Sequence, residues 1–218
     1  VPSKIQNTTE WDKVCAYMGS GLEYNPHLKI MKKIFSLSYY HLSFHLRTCL
    51  LYLSIYPEDY EIHRDDLIWK WIAEDFITHT NPEGSLFEVG RGYFGELVNS
   101  GMIQPCIDFK GVVMRCRLHD MVLGLICSLS SEENFVTILN HTQGYCISSS
   151  SNVRRLSIQN ISEDDQRKPL ASMSKSQVRS VTTFPPTINQ MFALSSFGVL
   201  HVLDLNGCHL GENNHLNL

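Results

Sequence analysis

The spacing of apolar residues takes three forms along this 218-residue chain, and any fold proposed for it must accommodate all of them. Up to Gly101 the spacing is helical. Asn25-Pro26 reads as a helix start, because Asn accepts a backbone hydrogen bond at the cap and Pro needs no donor at the first position. Leu28, Met31, Ile34 and Phe35 then share one face of a helix predicted to run to about Tyr39. Ser43 caps a second helix carrying Leu46, Cys49, Leu50 and Leu53, which ends before the breaker Pro57-Glu58-Asp59. A third starts at Arg64-Asp65-Asp66 and carries Leu67, Ile68, Trp71, Ile72 and Phe76. After the polar stretch Thr78 to Ser85, Phe87, Tyr93, Phe94, Leu97 and Val98 mark a fourth, which Gly101 stops.

Between Gly101 and Leu118 the period drops to two. Met102 to Ile107 and Val112 to Leu118 read as strands joined by Asp108-Phe109-Lys110-Gly111, with Val112, Met114, Cys116 and Leu118 alternating against Val113, Arg115 and Arg117. Helices feeding into a two-stranded wing predict a winged-helix module. Asp120 is the expected N-cap of one further helix, with Met121, Val122, Leu125, Ile126 and Leu129 as its apolar stripe.

Beyond a loose junction at Ser148 to Ser151 the third pattern begins. The anchors Leu156, Val181 and Leu203 lie 25 and 22 residues apart, within the spacing of leucine-rich repeats, and Leu200, Leu203, Leu205, Cys208 and Leu210 form the clearest unit. Pro185-Pro186 suits the convex side or a loop. The expected fold is therefore mainly α with a small β-hairpin wing, followed by the start of an α/β solenoid of leucine-rich repeats. The boundaries read as 1–35 for the end of a preceding helical region, 36–130 for the winged helix, 131–152 for a linker and 153–218 for the first repeats. Val1 is not an initiator Met and the repeat pattern stops mid-course, so a piece of a longer protein is expected.

Composition narrows the function. The 43% apolar content supports a real core, no run approaches a membrane span, and no secretory signal opens the chain. Seven scattered cysteines without a C-x-x-C pair read as reduced, mostly buried thiols, and the sequons at Asn7, Asn140 and Asn160 carry no weight in an intracellular chain. Residues 36–130 hold seven Lys or Arg against twelve Asp or Glu, which disfavours the natural alternative, a winged-helix DNA-binding transcription regulator. An enzyme is disfavoured too. His41-x-x-x-His45 lacks the Glu and third ligand of a metal site, and no Ser or Cys is presented beside a base. Trp69 and Trp71 read as packing residues.

Three runs carry a resemblance. Cys49-Leu50-Leu51-Tyr52-Leu53-Ser54-Ile55-Tyr56-Pro57-Glu58-Asp59 resembles the CFLYCALFPED block of plant NB-ARC receptors, Leu67-Ile68-Trp69-Lys70-Trp71-Ile72-Ala73-Glu74 resembles their LIxxWIAEGFI block, and Leu118-His119-Asp120 resembles their MHD triplet. The sequence departs from those patterns at Ser43 for Pro, Asp75 for Gly and Leu118 for Met. The resemblance implies a nucleotide-binding, leucine-rich-repeat immune receptor, with this chain covering its winged-helix (ARC2) region and first repeats. It implies that His119 contacts the β-phosphate of ADP and that Asp120 orients the turn. The chain itself has no G-x-x-x-x-G-K-[ST] loop, so the main ADP/ATP site would lie in a nucleotide-binding domain outside it. The further implications are autoinhibition by the repeats, recognition of a pathogen effector or guarded host protein, homo-oligomerisation on activation, a cytoplasmic location with any plasma-membrane association supplied by other domains, and no nucleic-acid partner. A helix start is an anion-friendly place, which suits that role for His119. Arg115 and Arg117 are expected to be solvated, and the turn Tyr39 to Ser43 is the candidate hinge.

Overall fold

The computed structural model describes residues 26–78, 84–140, 153–159, 173–184 and 197–205. Asn25, the Ser148 to Ser151 junction, Pro185-Pro186 and the Cys208 to Leu210 end of the repeat pattern lie outside them. Helix α1 (Pro26–His41) crosses the boundary expected at residue 35. Ser43 then caps α2 (Phe44–Tyr52), its side chain accepting from the Leu46 N–H at 3.4 Å. A short 3-10 turn (Leu53–Ile55) extends α2, and the chain reverses with Asp59 at φ +58°. Strand β1 (Ile62–His63) leads into α3 (Arg64–Ala73), and α4 (Leu86–Asn99) is capped by the Ser85 side chain. Gly101, at φ +72°, ends α4 where a side chain would be strained.

Strands β2 (Gln104–Ile107) and β3 (Val113–Arg117) form the expected hairpin, and β1 adds a third antiparallel strand in the order β1-β3-β2. Two residues are too few to show a period, so β1 was not legible in the sequence. In β3 Cys116 is buried while Arg115 and Arg117 are exposed, as the alternation predicts, although Val112 lies exposed beside the strand. One core fills the module, with Tyr52, Leu50, Leu67, Ile68, Trp71 and Leu97 almost wholly excluded from solvent. At Gly90 helix α4 packs tightly, for an added Cβ would lie 2.6 Å from Ile68 Cγ2 of α3 and 2.8 Å from Ile77 Cδ1 just beyond it.

The face predicted for α1 is corrected. Met31 and Ile34 are exposed, whereas Phe35 of the predicted stripe packs half-buried against the core and buried Tyr39 joins it. Tyr39 thus anchors one end of the turn read as a hinge.

Helix α5 (Asp120–Glu132) follows the wing, and the chain then enters strand β4 (Thr137–Asn140), so the segment read as a linker contributes a strand. Strands β5 (Arg155–Gln159), β6 (Ser180–Thr183) and β7 (Val202–Asp204) add to β4 in sequence order, all parallel. Leu156 pairs with Val181, and Val181 with Leu203, so the three anchors spaced 25 and 22 residues apart form one row across the sheet. Because side chains alternate along a strand, Leu156, Ile158 and Val181 enter a second core with Val153, Met173 and Val178. Arg155, Ser157 and Gln159 point the other way, to the winged helix.

Candidate functional site

Backbone donors at a helix start need acceptors, and at α5 the acceptor is an imidazole. The N-cap of α5 is His119, not Asp120: Nδ1 of His119 accepts from the Met121 N–H at 3.2 Å, while its carbonyl accepts from Val122 and Leu123 at 2.8 and 2.9 Å. Asp120 is the first helical residue, exposed, with its carboxylate at the positive end of the helix. The reason for the correction is geometric. The extended backbone of His119 (φ −73°, ψ 138°) is the cap conformation, and it folds the ring over the first turn.

An Nδ1 that accepts a hydrogen bond carries no proton, so in the neutral ring the proton is on Nε2. The cap therefore fixes the tautomer and turns Nε2–H into a donor aimed away from the helix backbone. Phe35 of α1 stacks against the ring at 5.7 Å between centroids, tilted by 37°. The ring is half-buried, neither sealed in the core nor free. As a fit to a phosphate this is one oriented donor beside a helix N-terminus, the right chemistry for an anion but a single contact. Phe35 was not legible as a site residue, because nothing in the spacing says which α1 side chain reaches residue 119.

Other candidates resolve individually. Both wing arginines pair with Glu61, Arg115 to Oε2 at 2.8 Å and Arg117 to Oε1, and these two hydrogen bonds hold the Glu61 carboxyl below its ordinary range. His41 ends α1, and His45 in α2 stacks on Tyr93. Among the described residues no group of three or more His, Cys, Asp or Glu could hold a metal ion. Trp71 is buried, whereas Trp69 is exposed and leans on Phe87 at 5.1 Å. Cys49, Cys106, Cys116 and Cys127 are free, and burial raises Cys116 and Cys127 to about 12 and Cys49 further. Cys49, Cys116 and Cys127 are therefore protonated and unreactive at neutral pH. No helix of the described residues is long and apolar enough to cross a membrane.

The largest polar construction lies where the parallel sheet meets the winged helix, and sequence reasoning missed it. Arg155 donates from Nε to Glu74 Oε2 at 2.7 Å, with its guanidinium 4.9 Å from the Phe76 ring and 4.2 Å from the Phe135 ring. Both side chains are almost completely buried. Ser157 Oγ and Gln159 Nε2 donate to the Ile55 carbonyl at 2.6 and 3.0 Å, and Lys70 bonds Tyr56 Oη at 3.0 Å and pairs with Asp204. Arg179 reaches Asp75 at 2.8 Å. Asp75 sits at φ +62°, in the left-handed region. That accounts for Gly in the resembled block, and here the strain supports an ion pair to the sheet.

Comparison with known proteins agrees with this architecture. Residues 55–126 match the family described as disease resistance protein winged helix domain. Disease resistance protein RGA5 of Oryza sativa subsp. japonica is 36% identical over 220 residues, covering 99% of this chain and 19% of its own length. Disease resistance protein Pik-2 of the same organism is 35% identical over 90% of the chain, and disease resistance protein RPP13 of Arabidopsis thaliana 35% identical over 61%. The chain spans about a fifth of the length of the relatives it matches, 19% in the case of RGA5. With a winged helix that matches theirs and identity of 35% or more over up to 99% of its residues, this chain belongs to the plant NLR disease resistance proteins.

Proposed function

We propose that this chain is the lid and sensor stem of an ADP/ATP-dependent immune switch, in which His119 donates from Nε2 to a phosphate of ADP held by an adjoining nucleotide-binding domain. The observation that carries the reading is the capped imidazole, since engagement of Nδ1 by Met121 N–H leaves Nε2–H as a donor of fixed direction. Asp120 then supports the turn through the helix dipole rather than through a cap. A charge-assisted hydrogen bond contributes about 1.5 to 3 kcal/mol, a bias of roughly ten to a hundredfold toward the closed state. ADP supplies the anion, and this chain supplies one donor and the rigid body that carries it.

The parallel strands β4 to β7, with anchors 25 and 22 residues apart in one row, support reading residues 153–218 as the first leucine-rich repeats. Their docking on the winged helix supports an autoinhibitory role. Recognition of a pathogen effector or guarded host protein then falls to coils beyond β7, because the polar face of β5 is already bonded to Ile55 and Glu74. A cytoplasmic location and homo-oligomerisation on activation belong to the same proposal. DNA binding is the weaker reading, because Glu61 takes both wing arginines.

The test separates the cap from the anion contact. Asn caps a helix as well as any residue but places no donor where Nε2 lies, so His119→Asn in the full-length receptor keeps α5 and removes the contact. The measured quantity is the dissociation rate of bound ADP. His119→Asn is expected to accelerate release about tenfold or more with an unchanged thermal midpoint. Wild-type release rates in both His119→Asn and His119→Ala would end the lid reading.

A further inference from the structure

Among the exposed aromatic residues of the winged helix, two groups carry opposite charge beside them. One is the wing tip. Phe109 is 95% exposed, with Ile107 and Val112 beside it and Lys110 Nζ 5.5 Å from its ring centre. This tip is not a loose loop. Asp108 Oδ1 accepts from the N–H groups of Lys110 and Val112, each at 2.8 Å, and Gly111 closes the turn at φ +78° with its N–H bonded to the Asp108 carbonyl at 3.0 Å. A rigidly presented aromatic ring has little conformational freedom left to lose on docking, which is the property of an interface anchor. With the Asp108 carboxylate engaged by its own turn, Lys110 sets the outward charge of the tip.

The second patch is Trp69, 59% exposed and tilted against Phe87 across α3 and α4. Asp66 lies one helical turn before Trp69, and Glu88 follows Phe87, each with 63% of its side chain exposed. The patch is aromatic with an acidic rim, the complement of an aromatic tip carrying a lysine. Glu88 does pair with Arg91, but an exposed pair of that kind contributes little and gives way readily. Arg64 at the start of α3 donates to the Val113 carbonyl at 2.9 Å, which ties the base of the tip to the helix that carries Trp69.

We infer that the wing tip of one copy of this chain docks on the Trp69–Phe87 patch of a second copy, with Phe109 against the aromatic pair and Lys110 against Asp66 and Glu88. The tip and the patch are different surfaces, so the contact between copies is head-to-tail. The inference rests on the proposed self-association and is independent of the nucleotide role of His119.

Sedimentation velocity of the 218-residue chain, run over a concentration series into the hundreds of micromolar, tests it. The wild-type chain is expected to associate reversibly, copy on copy. Phe109→Ser, Lys110→Glu and the pair Asp66→Lys with Glu88→Lys should each raise its Kd about tenfold or more. Lys110→Glu combined with that acidic-to-basic pair should bring the Kd back to within about threefold of wild type, since the charges are then swapped rather than opposed. All four positions are exposed, and unchanged thermal midpoints would show that the variants fold. A chain monomeric throughout overturns the inference, as does association indifferent to Phe109→Ser and to the swap. Monomers that co-sediment with phosphatidylserine vesicles through Phe109 would also overturn it and assign the tip to a membrane.

Discussion

Replacing Arg155 by methionine keeps a long apolar stem between Phe76 and Phe135 and deletes only the guanidinium. What remains is Glu74, whose side chain has no solvent exposure, whose Oε2 has lost its 2.7 Å partner and whose Oε1 has no hydrogen-bond partner among the described residues even in the native protein. Removing one member of a buried pair costs about 3 to 5 kcal/mol, because the other charge stays buried and uncompensated. Against a typical domain stability of about 5 to 15 kcal/mol, that loss is severe. Glu74→Leu combined with Arg155→Met removes both charges and should recover about 2 to 3 kcal/mol of it, the nonadditivity expected of contacting residues. Urea unfolding followed by tryptophan fluorescence and far-UV circular dichroism measures both quantities. The pair joins the end of α3 to β5, so wild type should unfold in one transition and Arg155→Met in two, with the sheet first. A cost below about 1 kcal/mol for Arg155→Met, or a double variant as costly as the two singles summed, would refute the argument that this pair fastens the sheet.

Two further predictions follow from packing and from burial. Gly90→Ala should cost about 1 to 3 kcal/mol because its Cβ would press on Ile68 and Ile77, whereas Gly92→Ala, with open space around it, should gain about 0.5 to 1 kcal/mol from helix propensity; chemical denaturation of the pair checks both signs. Cys116 and Cys127, raised to about 12, stay protonated in the fold but ionise near 9 once exposed. Their contribution to stability is therefore complete below pH 9 and is lost as pH rises from 9 toward 12, and native-state alkylation at pH 8 should be far slower than in urea.

The sequence exposed its helices and strands wherever a period had room to repeat. The anchors Leu156, Val181 and Leu203 are partners in the sheet because parallel strands in register must return to the same row, and a spacing of 25 and 22 residues records that return. Strand β1, two residues long, has no period to read. The α1 stripe misled because a helical face says that something covers it, not that the described core does. His119 stood out in the sequence as a candidate through its place between strand and helix, but its capping role did not, since Asp is also a good cap and only the backbone angles decide between neighbours. The Arg155–Glu74 pair was invisible for a different reason: 81 residues separate its members and neither sits in a pattern.

These features join along one element. Helix α5, 13 residues and so about 20 Å long, has the His119 cap at one end. Near its other end Ser130 accepts from Ser54 at 3.0 Å and from the Val136 N–H at 3.1 Å, directly before β4. Strand β4 pairs with β5, which carries Arg155. A displacement of the sheet would therefore reach the imidazole through a rigid rod fixed at both ends, without any rearrangement of the wing. In the proposed switch the coupling would then depend on Ser130 as much as on His119, because removing that hydroxyl takes the acceptor from both the buried Ser54 hydroxyl and the Val136 N–H. Under that proposal the lid would respond to the position of the sheet through packing and hydrogen bonds, while an anion contact at His119 would set only the depth of the closed state.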